Sequence, residues 1–283
     1  MILAPLLFPL LASATAAAPA TTTIAASPAS PVAITLAAPT AQSGKEVRTK
    51  FVELAGKKDH DGLLALWRAN PGAVLPTIDA DLEGSLRVRE KAKDKEPDMV
   101  KIGEMHERAL WGARIAFEAS GDPMIFDYTS AFVGWDEAQR KQFREGQAAS
   151  GRAGQALEKG DSAGGLAAGE ECLQKAMALG DWWGSGMGYD AICAAERALG
   201  KEAAALEAAS HAAAIYHSLG LAGDELSATV TVAELCKSLG RPARARVACE
   251  RAIAVAKAMK NDDAVQKIET LAKSIPATTG PAK

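Results

Sequence analysis

Three glycines, Gly160, Gly200 and Gly240, stand forty residues apart, and the sequence after each one repeats. Gly200 leads into Lys201-Glu202-Ala203-Ala204-Ala205-Leu206-Glu207-Ala208-Ala209, and Gly240 into Arg241-Pro242-Ala243-Arg244-Ala245-Arg246-Val247-Ala248-Cys249. Gly160 leads into Asp161-Ser162-Ala163-Gly164-Gly165-Leu166-Ala167-Ala168-Gly169. Small residues recur at the third, fifth, eighth, ninth and twelfth positions after each glycine. Leu199-Gly200 matches Leu239-Gly240, and Leu179-Gly180 matches Leu219-Gly220. A fixed period of this size means a stack of helical hairpins, each burying its apolar face on its neighbours. Such arrays are binding surfaces more often than catalysts, so the period itself points to a binder.

Composition agrees with an all-α chain. Of 283 residues 48% are hydrophobic but only 5% aromatic, and alanine, the best helix former, supplies much of the apolar fraction. A net charge of −3 gives no reason to expect nucleic acid as the partner. Charge is unevenly placed: residues 1–44 contain no Asp, Glu, Lys or Arg, and the first charge is Lys45. Residues 2–11 are apolar, and Ala14-Thr15-Ala16 and Ala16-Ala17-Ala18 offer small-residue cleavage sites. Residues 1–18 therefore read as a signal peptide without a positive start, and the protein as exported, periplasmic or secreted, after its cleavage. Residues 19–44, rich in Ala, Pro and Thr, read as a disordered linker, and 276–283 as a disordered tail. No stable membrane span is expected in the mature chain.

From Lys45 the pattern is helix after helix. The first pair spans 46–56 and 61–70, and a segment opening at Pro76 or Thr77 runs to about Lys95. Asp98 is placed to cap a long helix ended by Ser120-Gly121, and Asp122-Pro123 to open a short one. Asp136 with Gln139 makes a capping-box pair. The domain reading is an N-terminal helical region, 45–135, followed by a repeat array, 136–275. Within the array, Gly160, Gly200 and Gly240 mark the tight turn inside each hairpin. Gly180, Gly220 and Lys260-Asn261 mark a looser turn between hairpins.

Leu199-Gly200-Lys201, followed by Leu206-Glu207-Ala208-Ala209, resembles the second-helix signature of tetratricopeptide repeats, with Ala205, Ala209 and Ala212 at the family's small positions. Ala245, Cys249 and Ala252 fill them in the next repeat, and Gly165, Gly169 and Cys172 in the previous one. Forty residues instead of the usual 34 resembles the longer-helix variety of the family. The resemblance implies a right-handed helical-hairpin solenoid whose first helices line a ligand groove. Carried onto this sequence, the groove positions are Met187, Asp190, Ala194 and Arg197 in one repeat and Ser227, Val230, Glu234 and Lys237 in the next. The family subset that binds acidic chaperone tails uses Lys and Asn at the groove centre. Asp190, Ala194, Val230 and Glu234 stand there instead, which argues against that ligand, although Arg197 and Lys237 remain carboxylate candidates.

Other constellations carry little chemistry. Gly160-Asp161-Ser162 falls on a repeat turn whose equivalents at Gly200 and Gly240 carry no serine, and nucleophilic catalysis would need a positioned base, so no catalytic residue is assigned. Gly184, Gly186 and Gly188 lack the strand and Lys-Ser/Thr of a phosphate loop and read as sites of close helix approach. His60, His106, His211 and His217 lack metal-ligand spacing, and no cofactor is expected. Asp79, Asp81 and Glu83 read as first-turn charges stabilised by a helix dipole. Trp182 and Trp183, in an inter-hairpin turn, are either staples of that turn or an exposed hot spot. Trp67, Trp111 and Trp135 read as anchors of the N-terminal core. Cys172 and Cys193 are nearly equidistant from a bend at 180–184, which makes them the candidate disulfide of an exported chain; as small residues at packing positions they fit equally well.

The resulting expectation is an exported, non-catalytic scaffold or adaptor holding a protein or peptide in its groove. The alternatives are an envelope assembly factor that self-associates through the repeats and, more distantly, an enzyme whose site lies in 45–135.

Overall fold

The computed structural model describes residues 41–93 and 95–276, of which 86% are helical, with no strand among them. The N-terminal region holds α1 (Ala41–Lys57), α2 (His60–Ala69), α3 (Val74–Ala92), α4 (Met99–Ser120) and α5 (Met124–Gly134). The array holds α6 (Glu137–Glu158), α7 (Ser162–Leu179), α8 (Trp182–Ala198), α9 (Glu202–Ser218), α10 (Ala222–Ser238), α11 (Pro242–Ala258) and α12 (Asp262–Lys273). From α6 onward each helix packs on the next in sequence, and α6 also packs on α8, giving an all-α helical solenoid. The segments read as signal peptide and tail lie outside the described residues, as does most of the linker; its last four residues already belong to α1.

The local signals act as their chemistry requires. Asp98 accepts from the Lys101 amide at 3.0 Å and opens α4, which Gly121 ends in the left-handed conformation at φ 75°. Asp136 and Gln139 form the reciprocal capping box of α6. The start of α3 differs from expectation. A 3-10 turn at Pro71–Ala73 leads straight into it, and Pro76 lies inside its first turn, where a missing N–H leaves nothing unsatisfied.

The turns of the array correct the sequence reading. Gly160, Gly180, Gly200, Gly220 and Gly240 all have φ between 67° and 77°, and Lys260 has φ 54°. Every one of these residues donates to the carbonyl three residues back, and its successor to the carbonyl five back. These are six Schellman turns twenty residues apart, so no tight and loose classes exist. What alternates is burial. A Cβ added at Gly160, Gly200 or Gly240 would meet nothing within 4 Å among the described residues, whereas one at Gly180 would lie 3.4 Å from Ala131 and one at Gly220 3.1 Å from the Pro71 carbonyl. Leu179, Asp181, Leu219 and Leu221 are accordingly buried, while Lys201 and Arg241 are exposed. One edge of the solenoid is thus docked on the N-terminal region and the other faces solvent. The two share a core running from Phe51, Trp67 and Leu75 through Tyr128 and Trp135 to Leu179, Tyr216 and Leu219.

The nine small positions repeat in burial as in sequence: Gly165, Gly169, Cys172, Ala205, Ala209, Ala212, Ala245, Cys249 and Ala252 are all buried. A Cβ added at Gly188 would lie 2.9 Å from the backbone N and Cα of Leu173, and one at Gly186 2.7 Å from the Tyr216 ring. The glycines that weaken α8 as a helix are therefore the ones that let α7 and α9 approach it.

Candidate functional site

Arg197 on α8 pairs with Glu234 on α10 at 3.2 Å, and Lys237 on α10 donates to Ser274 just past α12 at 2.8 Å. On the other layer, Arg244 of α11 donates to Ser210 of α9 at 3.1 Å. Alternate helices therefore share a layer, and α8, α10 and α12 form the face that carries the sequence-assigned groove residues. Met187, Asp190 and Ser227 are exposed on it, while Arg197 and Glu234 are half-buried. Val230 is turned into the core. Arg197 is engaged by Glu234 across the repeat, so it is not a free carboxylate receptor. Asp190 accepts a 2.7 Å hydrogen bond from Tyr216, and desolvation raises it to about 6 although the residue as a whole is exposed.

At its α6–α8 end this face runs into a cavity of about 390 Å³. The N-terminal region contributes Asp79 and Glu83 from α3 and Tyr128 from α5. The array contributes Phe143 and Gly146 from α6, Cys172 and Ala176 from α7, and Asp181, Trp183 and Met187 around the start of α8. Met187 and Gln147 are its exposed rim. Trp182 and Trp183 are both half-buried and packed on the core, with Trp183 also a wall of the cavity.

Three carboxyls meet this cavity, and among the described residues only Glu83 is in a direct ion pair, although Arg87 and Arg144 also act on Asp79 from a distance. Glu83 is bound by Arg144 Nη1 at 2.9 and 3.0 Å and by Gln147 Nε2 at 2.9 Å. Asp79 accepts from the Tyr128 hydroxyl at 2.8 Å, and Asp181, 5% exposed, accepts from the Gly184 amide at 2.9 Å while capping α8. Neither aspartate is ion-paired among the described residues. Burial pushes Asp79 up to about 6 against the opposing Tyr128 hydrogen bond. Burial does the same to Asp181, with Asp79 and Glu83 adding repulsion. Burial raises Cys172 to about 11, so its thiol stays protonated at neutral pH.

These shifts have a signed consequence. A carboxyl whose folded pKa lies above its unfolded value of 3.8 binds protons preferentially in the native state between 3.8 and about 6. Its stabilising contribution is complete below that window and is lost as pH rises through it. The groups facing the pair are Glu83 and Arg87 from α3, Tyr128 from α5, Arg144 from α6 and Cys172 from α7. Asp181→Asn keeps the helix cap, since Asn caps as well as Asp, and removes the charge. The variant should exceed the native protein by on the order of 1–3 kcal/mol at neutral pH, an advantage that shrinks below pH 6. Urea titrations across pH decide it; an advantage that does not change with pH would contradict the assignment.

The acidic residues of α3 require correction. Asp79, Asp81 and Glu83 lie beyond the first turn of α3, which begins at Val74. Asp79 and Glu83 line the cavity. Asp81 has no exposed surface and is clasped by Arg48 of α1 and Arg108 of α4, with bonds of 3.0 and 2.8 Å to its Oδ2.

The candidate Cys172–Cys193 bridge is not formed, and the alternative of small packing residues fits: both are buried free thiols, as are Cys236 and Cys249. Gly188 sits over Leu173 and Gly169 over Ala191 and Ile192, so the residue level with Cys172 is close to Tyr189. Cys193 is about four residues, or ~6 Å of helix rise, further on. The bend centres on Gly180 and not on 180–184, because α8 already begins at Trp182. The Cys172 thiol instead lies 3.6 Å from the Gly184 carbonyl.

Two further arrangements were open to catalytic reading. His106 Nε2 lies 2.9 Å from Ser85 Oγ, but Ser85 is 1% exposed, bonds the Leu82 carbonyl, and His106 has no acid orienting it. No group of three or more His, Cys, Asp or Glu among the described residues is arranged to hold a metal ion. Compared with known proteins, the chain matches no family model and no curated protein.

Proposed function

We propose that this protein is an exported, non-catalytic scaffold that holds a protein or peptide along the face formed by α8, α10 and α12 of a tetratricopeptide-like array. The observation that carries the reading is the continuity of that face. It is tied across repeats by Arg197–Glu234 and Lys237–Ser274, keeps Met187, Asp190 and Ser227 exposed, and ends in a preformed cavity. Solenoids use their extended concave surfaces in this way. Nearly all small repeat positions serve packing, which leaves the polar face of α8, α10 and α12 as the part of the array not committed to its own fold. Export rests on the charge-free residues 1–44, and no helix among the described residues is long and apolar enough to cross a membrane.

The test is site-directed photo-crosslinking in the native host. A photoreactive residue at Ser227 or Met187 should yield one discrete adduct, and the same residue at Glu207, exposed on α9 of the opposite layer, should not. Adducts of equal yield from both layers would defeat the groove assignment.

One observation favours a second reading. Asp79 and Asp181, both raised to about 6, line one cavity, as general acid–base chemistry requires. It ranks below the scaffold because the thiol beside the pair, Cys172, is kept protonated by burial.

A further inference from the structure

We infer that the cavity between the N-terminal region and α6–α8 is a binding site for an organic ammonium ion, whose charge sits at Asp79 and Asp181 and whose apolar body lies against Tyr128, Phe143 and Trp183. This inference does not depend on which face of the array a protein partner uses.

Size is the first support. About 390 Å³ lies within the roughly 300–1,000 Å³ range of small-molecule pockets, at its lower end. Wall chemistry is the second. The lining is mostly apolar, and its aromatic residues come from three different elements, α5, α6 and α8. Aromatic rings accept hydrocarbon, and their faces also attract a cation.

Charge balance is the third and decides the sign of the ligand. Glu83 is already matched by Arg144. Asp79 is held by one hydroxyl and Asp181 by the backbone amides of Gly184 and Trp183, and neither carries an ion pair among the described residues. Arg87 and Arg144 act on Asp79 only from a distance, and Asp181 is buried. A carboxylate taken out of water without a direct ion pair is costly, and a cation entering beside it lowers that cost. An anion would meet repulsion from all three carboxyls. A hard metal ion needs several converging oxygen ligands and gains nothing from aromatic walls. An ammonium on a hydrocarbon body fits both halves of the lining. Met187 at the rim adds an adaptable side chain over the entrance.

The same chemistry comes from a free amine or from a lysine side chain of a partner, and the probes separate them. Calorimetric titration of the full chain with 2-phenylethylamine, protonated at about pH 7.5, is compared with neutral 2-phenylethanol. Saturable 1:1 binding of the amine, about tenfold or more tighter than the alcohol, is expected. The double variant Asp79→Asn, Asp181→Asn keeps the acceptor for Tyr128 and the cap for Gly184, so it should fold. It should bind the amine no better than the alcohol, and its alcohol affinity should match that of the native protein. A short peptide with one central lysine then competes with the amine or does not. Competition that is lost when the lysine is acetylated assigns the ammonium to a partner's side chain; no competition assigns it to a free amine. Equal affinity for amine and alcohol, no saturable binding of either, or undiminished amine binding by a folded double variant overturns the inference.

Discussion

Trp135→Ala should cost about 3–5 kcal/mol of unfolding free energy, among the largest losses available to a single substitution here. The indole is 4% exposed and lies between Phe132 at 4.4 Å and Phe143 at 5.0 Å between ring centroids. Its N–H donates to the Leu179 carbonyl at 3.1 Å, the last residue of α7. Truncation opens a void among aromatic rings and strips a buried carbonyl of its donor, two losses of different kind. Trp135→Phe isolates the second, and should cost about 1–2 kcal/mol. Because Trp135 joins the N-terminal region to the array, unfolding in urea should remain one transition that moves as a whole. A loss below about 1 kcal/mol for the alanine variant would mean that the two parts do not depend on this contact.

Asp81→Ala should cost about 3 kcal/mol and lower the melting temperature by roughly 6–12 °C. Asp81 has no exposed surface, and both its oxygens are engaged by Arg48 and Arg108. Removing it leaves two guanidiniums facing each other without the charge that gathers α1, α3 and α4. Each arginine side chain is about a quarter exposed, 27% and 24%, so part of its charge can turn to water. That places the estimate at the low end for breaking a buried pair. Replacing all three residues with apolar ones of similar size should recover most of the loss, since the full group contributes little net stability. A melt of Asp81→Ala that coincides with the native one would refute this account.

The forty-residue spacing made the fold legible, because small residues at fixed offsets leave helices only one way to pack. Asp98, Asp136 and Gly121 were equally readable, since caps act within a few residues. The alternation of docked and free turns was half visible: Asp181 and Leu221 follow the buried glycines, Lys201 and Arg241 the exposed ones. It was misread as a difference in turn geometry, because sequence reports side-chain environment and leaves backbone conformation implicit. The cavity was not legible. Asp79 and Asp181 are about a hundred residues apart in the chain, and an aspartate before a helix looks the same whether its carboxyl meets water or a pocket. The thiol pairing failed on a smaller point: moving the bend by two residues displaces the facing level by about four, or ~6 Å.

Docking along one edge also sets how the molecule yields to force. The shared core reaches no further along the chain than Ala228, and the Gly220 turn is pressed against Pro71. Pulled by its C-terminal end, the solenoid meets two regimes. The final hairpin, α11 and α12, peels like a strip, each helix giving way mainly against its neighbour, with the Lys237–Ser274 and Arg244–Ser210 bonds breaking as it goes. Beyond it the seam at Gly220 and the aromatic junction at Trp135 must fail together, and resistance rises abruptly. A load carried on the last hairpin is therefore borne by a compliant strap riveted to a rigid block.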